Sequence, residues 1–246
     1  MTAKTDGVLA NRRGACRRRG VTLVELMIAI TLVAVISGGM LFATRTSLIT
    51  YEKLTRRMSI NRASVNTAQI LNRQLSALIP AMGQCPVEPG APGPAVPMFV
   101  GTPENLRAVS SFSIAEGARG RPQILEYQVA PSPNGGLRLF VNEHPFTGPA
   151  SAGEICRGGQ FLPVQFSPAS FVLADGLAFC RFSFHQIDAA IPIEDTGWVP
   201  LWSIPQFPPI VRVEMGPLEG SVAQLPFFSV TVALRTDRDF REPYEP

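Results

Sequence analysis

The chain has 246 residues, 46% hydrophobic and 17% charged, a globular composition with apolar material for one medium domain or two small ones. That balance excludes a disordered tail and a multipass membrane protein. Its 23 prolines and 21 glycines follow no three-residue period, which excludes collagen and predicts a loop-rich second half.

The formal charge of +3 hides an asymmetry. Residues 1–20 hold Lys4, Arg12, Arg13, Arg17, Arg18 and Arg19 against Asp6 alone, so the other 226 residues, with 16 basic and 18 acidic side chains, sum to −2. A basic partner surface is therefore not implied. From Leu26 to Thr44 run 19 uncharged and mostly apolar residues. As a helix this run is roughly 28 Å long, close to the hydrocarbon thickness of a bilayer. Arginines before it and sparse charge just after it place the N-terminus in the cytoplasm and the bulk of the chain across the membrane. Three other readings compete. A cleaved signal peptide would use Ser37, Gly38 and Gly39 as its small-residue site, but the stretch is long and holds an acid. A lipoprotein would need an apolar run before Cys16, and a twin-arginine signal fits poorly around Arg12 and Arg13.

Glu25 is the anomaly, because a carboxylate near a bilayer core costs a few kcal/mol and is kept for a reason. It either snorkels at the cytoplasmic interface or, if the chain is cut between Gly20 and Val21, becomes the fifth residue of the product. There it can pair with the new α-amine of a neighbouring subunit, since in low dielectric both unpaired charges are costly.

The segment RRRGVTLVELMIAITL resembles the processing motif of type IV prepilins and type II secretion pseudopilins, in its short basic leader, Gly20, apolar run and Glu25. The resemblance implies cleavage after Gly20 by a membrane prepilin peptidase, methylation of Val21 by the same enzyme, and Glu25 as the docking acid. Valine stands where the family usually has phenylalanine, which bears on methylation more than on cleavage.

Beyond the membrane, Leu48, Tyr51, Leu54, Met58, Val65, Ala68, Leu71, Leu75 and Leu78 recur at steps of three and four with one step of seven. This predicts an amphipathic helix whose stripe packs on a sheet, stopped by Pro80 and Gly83. From Val21 to Ile79 such a helix is roughly 88 Å long. The expected divisions are a cytoplasmic leader over 1–20, a transmembrane helix over 21–44, an amphipathic periplasmic helix over 45–80, a Pro/Gly linker over 81–103 and a β-rich periplasmic domain over 104–246.

Within that domain QILEYQVA and LRLFVNE flank PSPNGG and predict a β-hairpin. FVLA, LAFCRFSFHQI, IVRVEM and FFSVTVALR are further strands. The fold class is α+β, with a long N-terminal helix packed against an antiparallel sheet in a pilin-like arrangement. The order VLADGLAFCRFSF, GWVPLW, PPIVRVEM, FFSVTVAL is similar to the C-terminal part of the J-type minor pseudopilins over about residues 171–234, and the W-type minor pilins of type IV pili share much of it.

Cys85, Cys156 and Cys180 remain after processing, in a compartment that permits disulfides. One bridge and one free thiol are expected. Residues alone leave three pairings open, of which Cys85 with Cys156 is favoured. No C-x-x-C, G-x-S-x-G, Walker loop or H-E-x-x-H occurs. His144, before Pro145 in a loop, and His185, at a strand end, read as ordinary surface histidines. Glu126, Asp188, Glu194 and Asp195 could pair in space and Asp237 with Asp239 could hold a cation, but each reads first as a solvated charge. Trp198 and Trp202 read as buried loop anchors before they read as a partner patch.

The expectation is a non-enzymatic inner-membrane protein with one span and a periplasmic domain. It has no cofactor, no metal and no nucleic-acid partner. By resemblance it is a minor pseudopilin that joins other minor pseudopilins and the major pseudopilin in the tip complex of a type II secretion pseudopilus. The alternatives are a minor pilin initiating a surface pilus, an exported module binding sugar or DNA through the Trp-bearing loop, and a secreted hydrolase.

Overall fold

The computed structural model describes residues 20–88, 93–186, 197–219, 226–234 and 240. The chain divides into two compact units, Met1–Leu54 and Thr55–Pro246. A single helix, α1 (Leu23–Ser76), begins in the first and ends in the second.

In the first unit the helix carries no charged side chain from Leu26 to Thr44. The stretch Leu23–Thr55 is long and apolar enough to cross a membrane. Every large apolar side chain from Val21 to Phe42 is more than half exposed.

In the second unit the last turns of α1 meet an antiparallel sheet, as the strand patterning predicts. The strands are β1 (Leu78–Ile79), β2 (Met82–Gln84), β3 (Ala95–Pro97), β4 (Val100–Gly101), β5 (Asn105–Ser113), β6 (Ala118–Pro131), β7 (Leu137–Pro145), β8 (Cys156–Arg157), β9 (Gln160–Phe161), β10 (Phe171–His185), β11 (Trp198–Val199), β12 (Ile210–Pro217) and β13 (Phe228–Ala233), with a 3-10 turn at Pro149–Glu154. The main sheet runs β1-β5-β6-β7-β10-β12-β13, with β4 added to β5 and β11 to β10. The hairpin of β6 and β7 turns where PSPNGG stands, with Gly135 and Gly136 at φ 91 and 72. A side chain at Gly136 would also strike the Leu177 carbonyl, 2.5 Å from its Cβ.

Four features depart from the sequence reading. The helix stops at Ser76, not Ile79, because Leu78 and Ile79 pair with Ser110 and Val109 of β5. Pro80 favours that extended backbone. Ser110 Oγ donates to the Gln74 carbonyl at 2.9 Å and Ser111 N to that of Ala77 at 2.9 Å, satisfying carbonyls of the chain leaving the helix.

The apolar stripe is covered only at its end. Leu71, Leu75 and Leu78 are buried and Ala68 partly so, whereas Leu48, Tyr51, Leu54, Met58 and Val65 are each more than half exposed. Periodicity marks an apolar face but not its cover, and the sheet reaches only as far as Thr67, whose hydroxyl donates to the Leu173 carbonyl.

The segment 81–103 is no simple linker, since β2 pairs with β3 and Cys85, Met98 and Phe99 are buried. Finally, FVLA and LAFCRFSFHQI form one strand, β10, which pairs with β7 over Phe171–Leu177 and with β12 over Leu177–His185. Its register shifts around Gly176, at φ 66, let a single strand serve both partners.

Each face of the sheet has its own core. Leu71, Leu75, Leu125, Tyr127, Leu139 and Phe182 pack on the helix side. On the other side Val109 and Ile124 pack with Ala81, Cys85, Met98, Ala152, Ile155 and Cys156. Strand β5 is thus buried on both faces, which removes the alternation that marks a half-buried strand.

Candidate processing and assembly segment

The described chain opens at Gly20, exposed and with open space around its Cα. Val21 follows, 74% exposed. Thr22 then begins the helix with a reciprocal cap. Glu25 N donates to Thr22 Oγ1 at 3.3 Å, while Thr22 N and Thr22 Oγ1 each donate to Glu25 Oε2 at 3.1 Å. This is a capping box, a threonine whose hydroxyl serves the helix and a glutamate three residues on whose carboxylate reaches back. The negative carboxylate also lies at the positive end of the helix dipole. The T-x-x-E spacing of Thr22 and Glu25 is the sequence signal of this cap, which serves the helix's own first turn.

The helix leaving this cap carries uncovered Leu, Ile, Val and Met through Leu41 and Phe42. Exposed glycine, capped acid and apolar helix therefore lie in order within one short segment. Residues 16–41 match the family described as the prokaryotic N-terminal methylation motif. The chain carries a type IV pilin-like prepilin signal. Such a signal implies processing by a prepilin peptidase and assembly with other pilins, and the motif family is structural and not enzymatic. The apolar helix fits a single-pass membrane anchor. A comparison with curated proteins gives no match.

The other residues singled out in the sequence fall elsewhere. Cys85 and Cys156 are joined as a disulfide, and Cys180 is a free, buried thiol that burial pushes up to about 12. Trp202 is buried and its Nε1 donates to the Gln206 carbonyl at 2.8 Å, while Trp198 is half-buried beneath the Arg212 guanidinium, 3.6 Å from the ring centre, and beside His185. The leader before Gly20, and Asp188, Glu194, Asp195, Asp237 and Asp239, lie outside the described residues. Among the described residues no group of three or more His, Cys, Asp and Glu side chains is placed to hold a metal ion.

Two readings are corrected. Glu126 is not a solvated charge: its side chain is 6% exposed and accepts a hydrogen bond from Arg107 Nε at 2.8 Å. His144 is not in a loop but in β7, with Nε2 donating to Glu126 Oε2 at 3.2 Å. The hairpin register that pairs Glu126 with Asn142 brings His144 alongside, a relation that no spacing in the sequence displays.

Proposed function

We propose that this chain is a minor pseudopilin of a type II secretion system, of the J-type, acting by assembly in the tip complex that initiates a short periplasmic filament. One observation carries the reading: the methylation motif over residues 16–41 overlaps the helix stretch Leu23–Thr55, whose apolar surface is uncovered. This apolar helix with a charged, capped start is exposed among the described residues, and a bilayer followed by neighbouring helices supplies a partner for it. The J-type assignment rests on the order of segments now seen as β10, the loop through Trp198 and Trp202, β12 and β13.

In this reading the basic leader stays in the cytoplasm and the β-rich unit lies in the periplasm. The prepilin peptidase cuts after Gly20 and methylates Val21. Glu25 then docks the subunit to its neighbours, the other minor pseudopilins and the major pseudopilin. Isolated subunits gain little from first contacts in lipid against the entropy of association, and a dedicated complex with large soluble interfaces offsets that cost.

The test is the intact and N-terminal peptide mass of the full chain produced with a prepilin peptidase. An N-terminus at Val21 with one added methyl supports the reading, and a cut near Gly39 or Ala43, which removes the anchor, overturns it. Capture of partner subunits by the processed chain then separates a secretion pseudopilus from a surface pilus.

A further inference from the structure

On the sheet face away from α1, a row of charge crosses three strands, from Arg107 in β5 through Glu126 in β6 to His144 in β7. The side chains of Arg107 and Glu126 are 8% and 6% exposed, and that of His144 is 33% exposed. The row is roofed by the segment from Pro149 to Ser170. Arg107 Nη2 donates to the Leu162 carbonyl and its guanidinium lies 4.9 Å from the centre of the Phe161 ring. Next to the row, Asn142 Nδ2 donates to the Gln165 carbonyl at 2.9 Å, and Ser170 Oγ donates to Asn142 Oδ1 at 2.5 Å. Between row and roof is a pocket of about 330 Å³, with Glu126 and His144 on one side and Glu154, Leu162 and Gln165 on the other.

The two ends of the row differ in kind. Arg107 is a permanent cation that already holds the roof, whereas His144 is a titratable one at the pocket. His144 faces Glu126 from β6 and Glu154 from the 3-10 turn, with Arg107 of β5 beyond Glu126. Its neighbour Glu143, which also borders the pocket, takes hydrogen bonds from Gln74 Nε2, Ser113 Oγ, Ile114 N and Ala115 N, so its charge is held from elsewhere. With His144 protonated, two cations balance Glu126 and Glu154. With His144 neutral, Arg107 alone faces Glu126 and Glu154, so the roof's Glu154 loses its attraction to the row and the roof's hold weakens.

We propose that the Arg107–Glu126–His144 row is a proton-sensitive clasp that holds residues 149–167 closed over the sheet at mildly acidic pH and loosens them as pH rises. The hydrogen bond to Glu126 holds His144 above the usual histidine value of 6.5, burial opposes it, and the charges of Glu126 and Glu154 add to it. A group raised on folding contributes fully below its unfolded value and loses that contribution as pH rises through its folded value. The clasp is therefore fully made below about pH 6.5 and opens above the raised value. The Cys85–Cys156 bridge keeps one point of the roof in place, so the change is local.

The test is hydrogen exchange of the full chain in detergent micelles from pH 5 to 9, corrected for the intrinsic rate, comparing peptides from 149–167 with peptides from β6. The expected result is a several-fold loss of protection in 149–167 as pH rises, with β6 unchanged, and no such step in His144→Gln. In Glu154→Gln, which leaves the row intact, the step shrinks. Flat protection in the natural chain, or the same step in His144→Gln, overturns the proposal, whatever the fate of the assembly reading.

Discussion

Gln74 in the last turn of α1 and Glu143 in β7 meet through a hydrogen bond of 2.8 Å from Gln74 Nε2 to Glu143 Oε1. Tyr127 donates its hydroxyl to Oε1 of the same amide, and the Glu143 carboxylate accepts hydrogen bonds from Ser113 Oγ and the backbone N–H of Ile114 and Ala115. One fully buried glutamine thus ties the helix end to β6 and, through Glu143, to the turn after β5. Gln74→Leu leaves both the tyrosine and the carboxylate short of a partner. The expected loss is about 1–3 kcal/mol, read as a lowered urea midpoint for the full chain in detergent. An unchanged midpoint would show that water takes over both bonds.

The Arg107–Glu126 pair sets a sharper contrast. Removing one partner by Glu126→Ala strands a buried guanidinium and is expected to cost about 3–5 kcal/mol, whereas the double change Arg107→Met with Glu126→Leu is expected to cost far less. Burial acts to raise the Glu126 carboxyl, but the hydrogen bonds and charges of His144 and Arg107 outweigh it and hold it below 4.5. Its contribution is therefore present above pH 4.5 and lost as pH falls through the lower folded value, so the single variant should flatten the acid limb of the stability profile.

The cysteines predict two separable behaviours. Cys85→Ser with Cys156→Ser opens a loop of 71 residues and is expected to cost about 2–5 kcal/mol, measured by chemical denaturation. Cys180, buried on the core face of β10 beside Phe182, stays protonated at neutral pH and should resist iodoacetamide until denaturant is added. Rapid native labelling would show that this part of the core opens readily.

At the N-terminus, Thr22→Val removes the hydroxyl of the capping box and is expected to weaken the first helical turn by about 1 kcal/mol. Glu25→Leu removes the carboxylate entirely. Under the proposed function that variant is still cut after Gly20 but no longer copurifies with partner subunits, whereas Thr22→Val keeps both properties. Mass spectrometry of the N-terminal peptide and affinity capture read the two outcomes, and full partner capture by Glu25→Leu would remove Glu25 from the assembly mechanism.

What the residues revealed in advance was local. The β6–β7 hairpin could be read because PSPNGG separates two alternating runs, and the anchor because its apolar character is continuous. What stayed hidden depends on cover from elsewhere in the chain. Strand β5 does not alternate because helix and roof bury its two faces, and Leu48 to Val65 look like core until one sees that the sheet ends at Thr67. Glu126 and His144 are 18 residues apart in sequence, and only the hairpin register makes them neighbours. FVLA and LAFCRFSFHQI read as two strands because Asp175 and Gly176 stand between them, yet Gly176, at φ 66, sits at a register shift in one strand that continues past it.

Gly101 and Trp202 exchange two backbone hydrogen bonds, of 2.9 and 2.8 Å, and a Cβ at Gly101 would lie 2.0 Å from Phe184 Cζ. About a hundred residues separate the two partners, so the entropy of joining them falls only once the strands between them have paired. Under the proposed function the leader stays in the cytoplasm and the chain after the helix crosses in sequence order, so Gly101 emerges long before Trp202. This seam is therefore suited to be among the last pieces of the sheet to form, and under the proposed function a chain arrested in transit before residue 202 has joined the sheet leaves the Phe99 and Phe184 side of the core open.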